Sequence, residues 1–254
     1  MAMTETARRN HDRLFPNLQS SLKAKDPEFI ELWDNFAFDE VLRHGSLDER
    51  TRLILIVGST IASHTLVEFK LMAGAALEAG VTPVELKEVV YQSAPYAGIA
   101  KVVEFLRATN ELLESRGIAL PLAGQSTTAP ATRREKGLAA QKAIFGDGIE
   151  KNYRDSPKDL LHVQDYLSAN CFGDFYTRAG LDLKTRELLT FALILSLGGC
   201  EPQLKAHVQG NLNVGNGRQV LIDAVTQLLP YAGYPRTLNA IRCINEVVPP
   251  PAGT

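Results

Sequence analysis

The sequence predicts an all-α protein made of two tandem units, and three observations predict it. The first is a repeat: Arg43, Leu47-Asp48, Thr51-Arg52, Gly80, Pro95-Tyr96-Ala97-Gly98 and Asn110-Glu111 return as Arg178, Leu181-Asp182, Thr185-Arg186, Gly215, Pro230-Tyr231-Ala232-Gly233 and Asn245-Glu246. From Gly80/Gly215 through Glu111/Glu246 the spacing holds at 135 residues, so a whole helical unit is duplicated. The second is period, because apolar residues fall at three- and four-residue intervals and no alternating pattern persists. The third is punctuation, with helix-start and helix-stop residues bracketing those runs. The expected organisation is a first unit over 1–117, a linker over 118–132 and a second unit over 133–254.

In chain order, Asp26-Pro27 gives an N-cap with proline at the first helical position, followed by Phe29, Ile30, Trp33 and Phe36 at helical intervals. Asp48 precedes a long apolar helix, Leu53 to Ile61, whose composition means burial on most sides. A helix over about 66–79 ends at Gly80, which takes left-handed C-cap geometry, and Thr82-Pro83-Val84-Glu85 is a capping box. Together they make a tight helical hairpin. Ile118 to Thr132, with Pro121, Gly124, Gln125-Ser126-Thr127-Thr128 and Pro130, reads as an exposed linker. In the second half Ser156-Pro157 repeats the proline helix start. Asp182 precedes the apolar helix Leu188 to Leu197, and Gly215-Asn216-Gly217 turns the hairpin with glycines.

At 254 residues and 45% apolar, the chain is long enough for substantial cores. A formal charge of −2, with both signs interspersed and no basic stripe among aromatics, gives no nucleic-acid partner. The most apolar stretch, Leu188 to Gly199, is shorter than the roughly 20 residues a bilayer demands, so no membrane partner is expected. No apolar segment follows the charged N-terminus, so no secretory signal is read. Cys171, Cys200 and Cys243 lack a C-x-x-C spacing, which points to free thiols in a reducing cytoplasm. A small-molecule substrate is the expected partner.

No G-x-S-x-G elbow, H-E-x-x-H or Walker loop occurs. His64 and His207 are not spaced as ligands, so no metal is expected; His64, at a helix start, reads as a cap. What remains is Gly198-Gly199-Cys200-Glu201-Pro202-Gln203-Leu204-Lys205-Ala206-His207. Pro202 marks a helix start that sets Gln203 and His207 one turn apart on one face, with Cys200 at the N-terminal end, where the macrodipole favours thiolate. Cys200 and His207 are seven residues apart, about 10 Å along the helix, too far for a direct hydrogen bond. The first copy carries Met72 where the second has His207, so one half is expected to do chemistry and the other to support it. Each group also has a structural reading. His207 caps or bridges helices, and Cys200 is an inert buried side chain. Arg52 and Arg186 pair with Asp48 and Asp182, an objection Arg178 shares, while Tyr96 and Tyr231 serve packing. Glu187 is either a surface acid at a helix start or a proton relay to His207.

The chain resembles the carboxymuconolactone decarboxylase family, within the alkylhydroperoxidase-like superfamily. The resemblance rests on Phe172-Gly173-Asp174, Thr177-Arg178, Gly180-Leu181-Asp182, Thr185-Arg186, Leu204-Lys205-Ala206-His207, Asn213-Val214-Gly215 and Tyr231-Ala232-Gly233-Tyr234-Pro235. It covers the second half nearly throughout and the first half through its Arg, Gly and Tyr-Ala-Gly positions. It implies a tandem-duplicated alkylhydroperoxidase-like helical bundle. The superfamily's redox branch carries C-x-x-C-x-x-x-H; Cys200 and His207 match its outer members, and Gln203 stands where the second cysteine would be.

The decarboxylase branch implies removal of CO2 from a small carboxylated unsaturated lactone without a cofactor. The implied roles are His207 as general acid/base, assisted by Glu187, with Arg178 or Arg186 holding the carboxylate and Tyr231 or Gln203 donating to the developing oxyanion. One alternative is a thiol-dependent peroxidase or disulfide reductase using Cys200. The other is a non-catalytic ring-forming or small-molecule-binding protein, favoured if no pocket reaches His207. The family's rings of six single units imply a trimer of fused pairs with pseudo-sixfold arrangement, in which the first copy walls the second copy's pocket.

Overall fold

The computed structural model describes residues 2–16, 18 and 20–251, so the expected outer unit limits at 1 and 254 lie outside the described residues. Among the described residues all regular structure is helical. The first unit holds α1 (Glu5–Leu14), α2 (Ser21–Lys25), α3 (Pro27–Asn35), α4 (Glu49–Ala62), α5 (Leu66–Glu78), α6 (Pro83–Ala97) and α7 (Ile99–Ser115). The second holds α8 (Arg133–Phe145), α9 (Gly148–Asp155), α10 (Leu161–Tyr166), α11 (Leu183–Leu197), α12 (Glu201–Asn213), α13 (Arg218–Ala232) and α14 (Tyr234–Val247).

The apolar helices α4 and α11 form the centre. Their starts are fixed by side-chain caps, Asp48 accepting from the Thr51 N–H at 2.8 Å and Asp182 from the Thr185 N–H at 2.9 Å. Every residue from Arg52 to Ala62 and from Arg186 to Ser196 is buried, as their all-round apolar composition demands. The two helices pack on each other, and the Ser196 hydroxyl donates to Ser59 Oγ at 2.8 Å where they meet. A single hydrophobic core therefore runs through both units.

The third helices are shared between the units, α6 also packing on α4 and α13 on α11. α6 of the first unit packs beside α11 of the second, and α13 of the second beside α4 of the first. Gln92 on α6 donates to the Arg186 carbonyl at 2.7 Å, and Gln227 on α13 donates to the Val41 carbonyl at 2.7 Å. This crossing carries side chains of the first unit into the interior of the second.

The hairpins turn at Gly80 (φ 87°) and Gly215 (φ 90°), left-handed positions that glycine occupies without strain, and Thr82 and Glu85 form the reciprocal capping box. The segment after α3 and its counterpart after α10 widen into π-helix, Phe36–Glu40 and Leu167–Tyr176.

Several expectations are corrected. Ser156-Pro157 opens a 3-10 turn, Lys158–Leu160, because Pro157 is extended (ψ 141°), and α10 starts only at Leu161. Asp26 precedes α3 without a side-chain cap bond. His64 caps nothing: it sits exposed at φ 56° in the α4–α5 turn, and Thr65 occupies the N-cap. Arg52 and Arg186 do not pair with Asp48 and Asp182, whose oxygens are taken by Thr51 and Thr185; they meet Glu49 and Glu88 instead. The segment between the units is bonded to the second unit. Ala179 N–H donates to the Gln125 carbonyl at 3.0 Å, and Thr127 Oγ1 donates to the Thr177 carbonyl at 2.7 Å.

Candidate active site

α12 begins at Glu201-Pro202 after two left-handed glycines, Gly198 and Gly199, and carries His207 on its inner face against α11. Asn211, one turn further, clamps the pair of helices by donating to the Glu187 carbonyl at 3.1 Å and the His207 carbonyl at 2.7 Å. In that register His207 Nδ1 lies 2.5 Å from Glu187 Oε1. Glu187 is fully buried and His207 is 8% exposed, so Glu187 is no surface acid. Gly210 makes the approach possible, because a Cβ there would fall on Glu187 Oε1 and within 2.8 Å of Ile144.

The second carboxylate oxygen accepts from the Tyr176 hydroxyl at 3.0 Å. Tyr176 is then left to accept, and does so from Thr190 at 2.5 Å and from the Tyr96 hydroxyl at 3.1 Å. Behind these, Gln92 Nε2 donates to Thr190 at 3.0 Å, and the Cys171 thiol lies 3.7 Å from the Tyr96 oxygen. Every donor leads toward Glu187, which fits an ionised carboxylate that receives His207 Nδ1–H and leaves Nε2 without a protein partner. Burial, reinforced by the nearby Glu187 charge, pushes the Tyr176 hydroxyl well above its ordinary value. Burial does the same to Tyr96, with Cys171 and Glu187 adding to it. Both phenols stay protonated donors.

His207 lines a cavity of about 540 Å³. Its walls come from α6 (Pro95, Tyr96), α8 (Gln141, Phe145), α9 (Ile149, Asn152), the π segment (Leu167, Cys171, Phe172), α11 (Ile194, Leu197) and α12 (Gln203, Ala206), with Cys200 just before it. The walls are mostly apolar with a few neutral polar groups, the usual make-up of a small-molecule site, and neither Lys nor Arg is among them. The ring of His207 meets Phe145 edge-on at 5.3 Å and Tyr96 at 6.0 Å. Among the described residues no group of three or more His, Cys, Asp and Glu has the geometry to hold a metal ion.

The structure brings His207, Glu187, Gln203 and Cys200 together and sends the other candidates elsewhere. Arg186 is fully buried, donating to Glu88 at 2.9 Å and Gln92 at 2.8 Å, and Arg178 donates to Glu88 at 2.9 Å and stacks over Tyr91. Neither lines the cavity, because both are held on Glu88 between the units. Tyr231 packs edge-on against Trp33 on the first unit's side, while its repeat counterpart Tyr96 occupies the place beside His207. The packing of α6 against α11 and of α13 against α4 is the cause. The Cys200 thiol is half-buried and donates to the Gly198 carbonyl at 3.4 Å, and no side chain caps α12. Sequence reasoning missed Tyr176, Thr190, Asn211, Phe145 and Cys171. The one signal available for Tyr96 was its presence in the repeat.

The fold and the cavity define an all-α protein with a buried histidine–carboxylate pair where two helical units meet. A family profile described as the carboxymuconolactone decarboxylase family matches residues 27–111 and again 162–246, and the chain belongs to that family. The 4-carboxymuconolactone decarboxylase of Acinetobacter baylyi is 29% identical over 116 residues, which is 45% of this chain and 86% of the relative. The nitrosuccinic acid decarboxylase of Metarhizium robertsii is 29% identical over 119 residues, 45% of this chain and 82% of the relative. A solved structure described as a gamma-carboxymuconolactone decarboxylase subunit from Burkholderia xenovorans shares the fold at a TM-score of 0.56 and 22% identity, covering 93% of this chain and 94% of its own. The relatives of known activity are decarboxylases. Among the described residues no helix is long and apolar enough to cross a membrane.

Proposed function

We propose that the chain is a carboxy-lyase or lactone-processing enzyme for a small carboxylated unsaturated ring, with His207 as its proton donor and Glu187 orienting it. One observation carries this reading: the Glu187–His207 pair stands at the wall of an apolar cavity with Nε2 free. A substrate carboxylate entering that cavity meets no fixed Lys or Arg, so its charge is poorly solvated, and losing it as neutral CO2 is favoured. The C–CO2 bond breaks, its electron pair moves into the conjugated ring carbonyl to form an enolate, and His207 Nε2–H protonates the carbon that closes the sequence. Glu187 stabilises the imidazolium before transfer and holds the ring on Nδ1. The electron sink is the substrate's own carbonyl, so the scheme calls for no cofactor. Neutral donors at the cavity, the exposed Gln203 and Asn152 and the buried Gln141, suit the enolate oxygen.

The test is CO2 release from 4-carboxymuconolactone, nitrosuccinic acid and monocarboxylated unsaturated lactones. His207→Gln should cut turnover by roughly 10²–10⁴ while the helical circular dichroism is retained. Turnover that survives the change overturns the assignment. The thiol route through Cys200 gains less support, since burial pushes Cys171, the other thiol on the cavity, up to about 11.

For the assembly we propose a trimer of this chain. Ile99 and Tyr234, 135 residues apart at equivalent helix starts, are 67% and 59% exposed, and the equivalent Leu32 and Leu167 are 49% and 42% exposed. Apolar side chains exposed at matching places in both units suit a closed pseudo-sixfold ring. Light scattering of the eluting protein should give three chains, and a monomer would remove the proposal.

A further inference from the structure

The repeat makes an internal control possible, because several buried polar groups of one unit have a counterpart in the other. In the second unit the buried Arg186 makes four hydrogen bonds, to Glu88 Oε2 at 2.9 Å, Gln92 Oε1 at 2.8 Å, the Arg178 carbonyl at 2.8 Å and the Leu181 carbonyl at 3.1 Å. In the first unit its counterpart Arg52 is 4% exposed and makes one loose ion pair, to Glu49 at 3.6 Å. Glu49 is meanwhile held by Arg13 through both oxygens. The cause is visible in the sequence: 135 residues beyond Glu88 stands Asp223, one methylene shorter. Its carboxylate is taken by the Ser46 N–H at 2.8 Å, the Ser46 hydroxyl at 3.2 Å and Gln219 at 2.7 Å, so it never reaches Arg52.

The counterpart of Gln92 tells the same story. Gln227 spends its amide N–H groups on the Val41 and His44 carbonyls and leaves Oε1 buried without a partner. The Tyr231 hydroxyl one turn further along α13 is also unpartnered. Arg52 and Gln227 line one cavity of about 150 Å³, with Asn10, Arg13, His44 and Glu49. Arg13 is half exposed and holds Glu49 closely, so the buried Arg52 is left with only the far edge of that carboxylate. A buried cation short of counter-charge is costly, and an orphaned buried acceptor in the same place signals a missing polar occupant.

We propose that this cavity binds a small oxyanion that keeps one hydroxyl, of the bicarbonate or dihydrogen phosphate kind. Its oxygens accept from Arg52, replacing the carboxylate that Glu88 supplies in the other unit, and its O–H donates to Gln227 Oε1. A cavity of about 150 Å³ has room for one such ion.

The test is calorimetric titration of the full chain with bicarbonate and, separately, inorganic phosphate at constant ionic strength, with formate as the oxyanion that lacks a hydroxyl. One of the first two should bind at a single saturable site per chain, with formate weaker by at least about tenfold. Arg52→Gln should abolish binding. So should Asp223→Glu, whose carboxylate, one methylene longer like that of Glu88, is expected to turn from Ser46 to Arg52 and occupy the cavity; this variant keeps the arginine and carries the test if Arg52→Gln fails to fold. His207→Gln should leave binding intact. The proposal is overturned by the absence of saturable binding of either ion, by binding that survives both Arg52→Gln and Asp223→Glu, by formate binding as tightly, or by loss of binding in His207→Gln.

Discussion

At the scale of single residues, the proposed chemistry rests on one carboxylate that collects donors from two helical segments and is backed by a third. Glu187 accepts from His207 on α12 and from Tyr176 on the π segment, while Tyr96 from α6 backs up Tyr176. Glu187→Gln keeps the shape but turns an acceptor into a donor facing His207 Nδ1–H. Activity should fall on the order of 10²–10⁴-fold in the CO2 assay, and thermal unfolding should report a loss of about 1–3 kcal/mol. Cys171 supplies a second, pH-based prediction. Burial favours its neutral thiol and raises its titration from the ordinary 9.0 to about 11. Between those values the unfolded chain has released a proton that the folded chain still holds. Stability is therefore unaffected by this group below 9 and falls by roughly 3 kcal/mol as the pH climbs to about 11. Denaturant titrations at pH 8 and pH 11 should show that drop, and Cys171→Ala should flatten it. Of this site, His207 was legible because the helix start at Pro202 fixed its face. Its pairing with Glu187 was one of two readings, relay or surface acid, and the choice between them needed the packing of α11 on α12, because the two residues stand 20 positions apart on different helices.

At the scale of elements, period and caps located α4, α5, α6 and α11 closely, since Asp48, Thr82 and Asp182 do cap as their positions demand. Period does not say which unit a helix will serve. Tyr231 was expected to donate at the site, yet the packing of α6 on α11 gives the place beside His207 to Tyr96. The π segment Leu167–Tyr176 was equally hidden: no residue pattern announces an extra residue per turn, and that widening is what lets Cys171, Phe172 and Tyr176 share the cavity and its polar network. The contact of α12 on α11 depends on the missing side chain of Gly210. Gly210→Ala should push against Glu187, Ile144 and Phe145 together, costing about 1–3 kcal/mol in thermal unfolding. Its activity at a temperature where the variant remains folded should drop further than Cys171→Ala does, because the added methyl displaces the Glu187 carboxylate from His207. Activity equal to the parent would mean that the Glu187–His207 contact is not what catalysis uses.

At the scale of the whole molecule, the duplication is a division of labour made obligatory by the core. The first unit carries Met72 where His207 stands in the second, yet it supplies Pro95 and Tyr96 to the cavity and Glu88 and Gln92 to the buried Arg186. Separating the two halves would strip α11 of both α4 and α6, exposing a helix buried on every side, and would leave Arg186 without its carboxylate. The second unit produced alone, from residue 133 onward, should therefore be poorly folded and inactive despite holding His207, Glu187, Cys171 and Cys200. The two halves produced together should recover activity by reassembling the shared core. Circular dichroism and CO2 release on the separate and combined halves measure this directly. A second unit that folded and turned over substrate alone would show that the wall from α6 is dispensable. The catalytic cavity would then belong to one unit rather than to the junction of two.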